Sequence, residues 1–142
     1  MSTSTTADVL DPLSFYLDKS DPAAWKAVGG LSLAATKAAE TAGLDAQLVE
    51  LVNLRVSQIN GCAYCLHVHT RKAVEAGLTE LPELEDLQVA QLSSFAVLTP
   101  EQYSAVQWLA ITMNVTNRIS ILSHHPVRPD APAGGTPSGG TA

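Results

Sequence analysis

The 142-residue sequence predicts an all-α domain, a compact set of helices around a helical hairpin that carries a Cys-x-x-Cys motif at one helix N-terminus. Three observations carry that expectation. Apolar residues recur at spacings of three and four along most of the chain, the period of an amphipathic helix. Helix start and stop signals fall at the ends of these runs, at Asp21-Pro22, Asp45, Gly61, Gly77 and Thr99-Pro100. No stretch alternates apolar and polar residues as a half-buried strand would.

The elements follow in order. Residues 1–6 form a polar leader and are expected to be disordered. Residues 7–18 carry Val9, Leu10, Leu13, Phe15, Tyr16 and Leu17 around Pro12. Such a segment is too short and too apolar to stand alone, so it should pack on the body or on a neighbouring subunit. Ser20-Asp21-Pro22 opens a helix, with a capping side chain and a proline in the first turn. The Ala-rich run that follows reaches Ala42-Gly43, with Gly29-Gly30 as a candidate break. Asp45 caps the next helix, which runs to Asn60 ahead of Gly61. Its main apolar stripe is Leu48, Val49, Val52, Val56 and Ile59. Glu50 points the other way, beside Asn53 and Ser57, and from this helix alone it reads as a solvated surface carboxylate.

The Cys-x-x-Cys motif opens the following helix, which ends at the stop signal Gly77. Residues 78–82 connect to a helix expected over 83–97, with Leu84, Leu87, Leu92 and Phe95 among its buried positions. Thr99-Pro100-Glu101-Gln102 combines a cap, a first-turn proline and a capping box. The apolar pattern through Tyr103, Val106, Trp108, Leu109, Ile111 and Met113 then continues to about Leu122. From Ser123 onward Pro, Gly, Ser and Thr dominate. A single domain over 7–122 and a disordered tail over 123–142 are therefore expected, with His124-His125 a solvated pair at the start of the tail.

Composition limits the partners. Hydrophobic residues make up 46% and charged residues 15%, so little charge is left to cover a surface. Some apolar surface should be buried between subunits. A net charge of −6 argues against nucleic acid or an anionic membrane as partner. No apolar run approaches the ~18 residues of a membrane helix. The polar N-terminus also lacks a basic-then-apolar signal pattern, so a reducing cytoplasm is expected. Two cysteines at this spacing in that compartment point to catalysis or metal binding rather than to a structural staple.

The chemistry concentrates in residues 59–69, which hold both cysteines and two of the four histidines. At about 100° per residue, Cys62, Cys65 and His69 fall within an arc of about 60°, beside Ala73 and Ala76, while His67 lies roughly opposite. Two thiols and one imidazole thus share a small-residue face at a helix N-terminus, where backbone N–H groups favour thiolate over thiol. Zinc held by Cys62, Cys65, His69 and Glu50 or His67 is an alternative reading, although most of those donors lie on one helix. A pair of simply buried cysteines is another.

Glu50, then Cys62-x-x-Cys65 after eleven intervening residues, then His69, resembles the signature of the AhpD-like alkylhydroperoxidases, within the wider carboxymuconolactone decarboxylase family. The text from Leu51 to Cys65 is similar to that family's core helix pair, and Asn114-x-x-Asn117-Arg118 resembles its late asparagine–arginine segment. The likeness is strongest over residues 44–77.

What the resemblance implies is an all-α subunit that assembles as a trimer or a hexamer, a thiol peroxidase centre, and no cofactor. Cys65 would attack the peroxide, Cys62 would resolve it to a disulfide, and His69 with Glu50 would relay protons. On that reading Glu50 is a site residue, not a surface one. Best-studied members carry histidine where this chain has Tyr64; a phenol does not serve as a base at neutral pH but still donates a hydrogen bond. The expected partners are a small peroxide and a thiol reductant, either a lipoyl-type dithiol, a thioredoxin or a small thiol. A decarboxylase or lactone-processing enzyme on the same fold is the remaining alternative, though Cys-x-x-Cys has no role in that chemistry.

Overall fold

The computed structural model describes residues 13–79 and 98–127, and every regular element among them is an α-helix. In chain order these are α1 (Leu17–Ser20), α2 (Pro22–Thr41), α3 (Ala46–Asn60), α4 (Ala63–Glu75) and α5 (Pro100–Leu122). The helix expected over 83–97 lies outside the described residues, as do residues 1–12 and 128–142.

Local signals place the helix ends. Asp21 Oδ1 accepts the Ala23 and Ala24 N–H groups at 3.0 Å each, and Pro22 fills the first position of α2. Both satisfy donors that the first turn leaves orphaned. Asp45 Oδ1 accepts the Leu48 N–H at 2.7 Å at the start of α3, and Gly61 ends that helix with φ +66°. At α5 the capping box closes in both directions. Gln102 N–H donates to Thr99 Oγ1 at 3.2 Å, and Thr99 N–H donates to Gln102 Oε1 at 3.1 Å. In the same turn the Glu101 carboxyl is held below its ordinary range, first by its own backbone N–H and then by the Thr99 hydroxyl.

The first departure from expectation is in α2. α2 runs unbroken through Gly29-Gly30. Once a helix is nucleated on both sides, propagation through two weak positions costs less than starting again.

Packing is organised by α5, which lies against both α2 and α3, while α3 also packs on α4. The α2–α5 seam is built from small residues. Ala35 and Ala39 of α2 meet Ala105 and Leu109 of α5, with Ala42, Leu44, Val49 and Val52 packed around them. Four-residue spacing stacks each pair on one face, and alanine lets the two backbones approach. Truncating Leu109 in this seam removes the largest apolar side chain of the cluster, a change worth about 2–5 kcal/mol.

The α3–α5 seam is polar where it is most buried. Asn60 Nδ2 donates to Asn117 Oδ1 at 3.0 Å and to Asn114 Oδ1 at 2.8 Å, and Asn117 Nδ2 donates to Ser57 Oγ at 3.2 Å. Asn117 and Ser57 are both fully buried. The inward face of α3 thus adds Asn53, Leu54 and Ser57 to Val49, Val52 and Val56 of the expected stripe, and only the end of that stripe, Ile59, stays out at 66% exposure. The helix serves two neighbours, so hydrogen-bonded polar side chains occupy the face that apolar periodicity assigns to solvent.

The segment after α5 turns inward. Ser123 is fully buried and its Oγ accepts the Leu17 N–H at 2.9 Å. His124 takes a left-handed φ of +48°, and the His125 ring is 6% exposed, not solvated as the sequence suggested.

Candidate active site

The site grows out of the turn between α3 and α4. Gly61 reverses the chain at positive φ, where a Cβ is disfavoured by about 1–2 kcal/mol. Cys62 N–H then donates back to Ser57 O at 3.1 Å, which fixes the turn to the end of α3. Cys62 is itself the N-cap of α4, and its Sγ accepts the Cys65 N–H at 3.3 Å. The two cysteines are joined as a disulfide with their Cα atoms 5.3 Å apart. They are buried, at 2% and 5% exposure. Each sulfur therefore lies at the positive end of a 13-residue helix.

Glu50 and His69 meet across the α3–α4 pair. His69 Nδ1 and Glu50 Oε2 are 2.6 Å apart, with side-chain exposures of 12% and 13%. The carboxylate that looks solvated on its own helix is thus a partly buried partner of the imidazole. An ionised carboxylate only accepts, so Nδ1 carries the proton and Nε2 is the basic nitrogen of the neutral ring. His69 stands one helical turn beyond Cys65, which puts the imidazole and the second sulfur on the same side of α4. The arrangement has the parts for moving a proton beside a thiol and disulfide couple.

The other candidates are placed less centrally. Tyr64 makes an edge contact with the His125 ring, with centroids 5.2 Å apart and an interplanar angle of 64°. His67 Nε2 and Arg55 Nε are buried atoms with no hydrogen-bond partner. Among the described residues, no three His, Cys, Asp or Glu side chains converge as a metal-binding group. The four proposed zinc donors are instead committed in pairs, sulfur to sulfur and carboxylate to imidazole.

Sequence reasoning missed the surroundings of His125. Its Nδ1 lies 3.1 Å from Ser120 Oγ and its Nε2 lies 3.2 Å from Asp18 Oδ1. The composition of the tail concealed this, because Pro and Gly dominate only beyond the residue that folds inward.

Comparison with known proteins bears on the same region. The model of the family described as "Carboxymuconolactone decarboxylase family" matches residues 22–110. The alkyl hydroperoxide reductase AhpD of Mycobacteroides abscessus is 44% identical over 50 residues, 35% of this chain and 29% of that protein. The AhpD of Nocardia farcinica is 42% identical over 50 residues, 35% of this chain and 28% of that protein. The uncharacterized protein YdfG of Bacillus subtilis is 55% identical over 31 residues, 22% of this chain and 21% of that protein. The matched stretch spans less than a third of each of these relatives. No solved structure matches the chain.

Proposed function

This chain belongs to the carboxymuconolactone decarboxylase family, and from that premise we propose that it is a thiol-dependent peroxidase of the alkylhydroperoxidase kind. The observation that carries the reading is the 2.6 Å contact between Glu50 of α3 and His69 of α4, the helix that opens at the Cys62–Cys65 pair. Two of the similar proteins bear the name alkyl hydroperoxide reductase, which supports the same chemistry here.

The cycle runs in three balanced steps. The Cys65 thiolate attacks an oxygen of the hydroperoxide; the O–O bond breaks, the alcohol leaves with a proton, and Cys65 becomes a sulfenic acid. The Cys62 thiol then attacks that sulfur, releasing water and closing the disulfide. One dithiol, or two equivalents of a small thiol, restores both thiols by exchange and leaves as a disulfide. His69 gives and takes the protons of these steps, and Glu50 holds its ring and stabilises the imidazolium. Tyr64 supports the turn by packing. The substrate class is an organic hydroperoxide or hydrogen peroxide. The reductant is a lipoyl-type dithiol, a thioredoxin or a small thiol in a reducing compartment, the cytoplasm. No described helix is long and apolar enough to cross a membrane.

One observation favours the opposite assignment of the two sulfurs. In the disulfide Cys62 Sγ, not Cys65 Sγ, accepts a helix N–H, and the same contact kept in the dithiol would favour Cys62 as the attacking sulfur. Exposure does not separate them, since Cys62 is as buried as Cys65.

Peroxide consumption with a panel of the three reductants tests the reading. Cys65→Ser should abolish turnover, and Cys62→Ser should react once and trap a sulfenic acid detectable by dimedone labelling. The reverse pattern exchanges the roles; no effect from either change removes the redox reading.

A further inference from the structure

We propose that His125 is a positioning residue for the Cys62–Cys65 turn, holding Tyr64 and so favouring the disulfide over the dithiol; the proposal rests on the redox reading of that pair. The imidazole is committed on every side. Asp18 Oδ1 lies 3.2 Å from Nε2, and Ser120 Oγ lies 3.1 Å from Nδ1. The Tyr16 ring stacks on it at 5.8 Å and 26°, and the Tyr64 ring meets it edge-on at 5.2 Å. Three segments distant in sequence, α1, the end of α5 and the start of α4, therefore converge on one ring.

The backbone is bent to deliver it. His124 is the one non-glycine residue at positive φ among the described residues, at +48°, and the His125 N–H donates to Ser120 O at 3.1 Å. A left-handed residue of this kind persists only where its surroundings fix it. Here they are Ser123, bonded to the Leu17 N–H at 2.9 Å, and His125 with its partners.

Tyr64 is what ties this cluster to the chemistry. It stands between the two cysteines in the first turn of α4. A disulfide from Cys62 to Cys65 closes a small ring of chain that contains Tyr64 and removes much of its freedom. A segment already fixed loses less entropy on packing against His125, so the disulfide and the aromatic contact stabilise each other. Coupling is reciprocal, and the contact must favour the disulfide by the factor that the disulfide favours the contact. His125 itself exchanges no electrons; reduction still takes two electrons and two protons from the added thiol.

The test is an equilibrium titration of the full chain in glutathione buffers of graded ratio, reading free thiols by alkylation. In wild type the pair should titrate as a two-electron couple. His125→Ala should raise the dithiol-to-disulfide ratio at a given buffer by about three- to tenfold, the range of an edge-to-face aromatic contact. Asp18→Ala keeps the imidazole and removes one anchor; it should give a smaller shift of the same sign and serves if His125→Ala fails to fold. In a Tyr64→Leu background the His125→Ala change should add no shift. A merely structural His125 lowers the melting temperature of oxidised and reduced protein equally and leaves the ratio unmoved, which overturns the proposal. A shift that persists in Tyr64→Leu overturns it as well. Wild-type thiols that stay free across the whole series overturn the redox reading, and the proposal falls with it.

Discussion

At the Glu50–His69 contact an oxygen-to-nitrogen distance of 2.6 Å pairs a carboxylate with the imidazole that the proposed cycle uses. Glu50→Gln keeps the shape but loses the charge that stabilises an imidazolium. Peroxide reduction is expected to fall about a hundredfold, within the range for a positioned acid–base group, with a thermal midpoint within a few degrees of wild type. Steady-state kinetics beside a melting curve check both halves. Asn117→Ala should do the opposite. It strips the buried partners of Asn60 and Ser57, and urea unfolding should show a loss of about 2–4 kcal/mol while the folded fraction keeps its thiol chemistry. The sequence made Cys62, Cys65 and His69 readable as one face because all three lie on one helix. Glu50 was not readable that way, since its partner stands 19 residues on in another helix. Periodicity tells which residues share a face and nothing of what the face meets; only the resemblance in spacing pointed to the pair. His125 escaped both routes, because its Asp18 partner lies 107 residues back.

Helix ends were the most legible elements, because a cap is a contract among neighbours in sequence. Asp21, Asp45, Gly61 and the Thr99 box each act within four residues. Thr99→Ala should therefore destabilise α5 by about 1 kcal/mol, measured as a shift of the urea midpoint at neutral pH. The Glu101 carboxyl adds a pH signature to that turn. Its folded-state titration lies below the ordinary range, so its contribution is complete above the ordinary glutamate pKa of about 4.3 and is lost as pH falls through the folded value. Glu101→Gln should flatten this acid limb of a stability-against-pH curve; a curve identical to wild type would remove the claim. The polar part of the inward face of α3 was missed for the reason that makes the caps legible. Its polarity is set by Asn117 of α5, 60 residues from Ser57, and nothing within α3 announces it. The Gly29-Gly30 pair misleads in the same way, since local propensity is weaker than two flanking stretches of helix packed on α5.

For the whole molecule, we propose a homotrimer or homohexamer. Trp108, Ile111, Leu33 and Trp25 keep a third or more of their surface exposed on a chain with little charge. Light scattering that gives a stable monomer of 14.9 kDa at micromolar concentration would remove that expectation. Truncation tests where the folded unit ends. Removing residues 128–142 should leave stability and thiol chemistry unchanged. Removing everything after Leu122 should lower the thermal midpoint, because Ser123 and His125 go with it. The junction they make with α1 also carries a consequence for the order of events in folding. The Leu17–Ser123 and Asp18–His125 contacts join positions 106 and 107 residues apart. Closing so long a loop from an open chain is entropically unfavourable, and it becomes easy only after α2, α3 and α5 have come together. The junction should thus be the last piece to assemble and the first to come loose. In native-state hydrogen exchange the Leu17 amide should open ahead of the amides inside α3 and α5, at a free energy well below that of global unfolding.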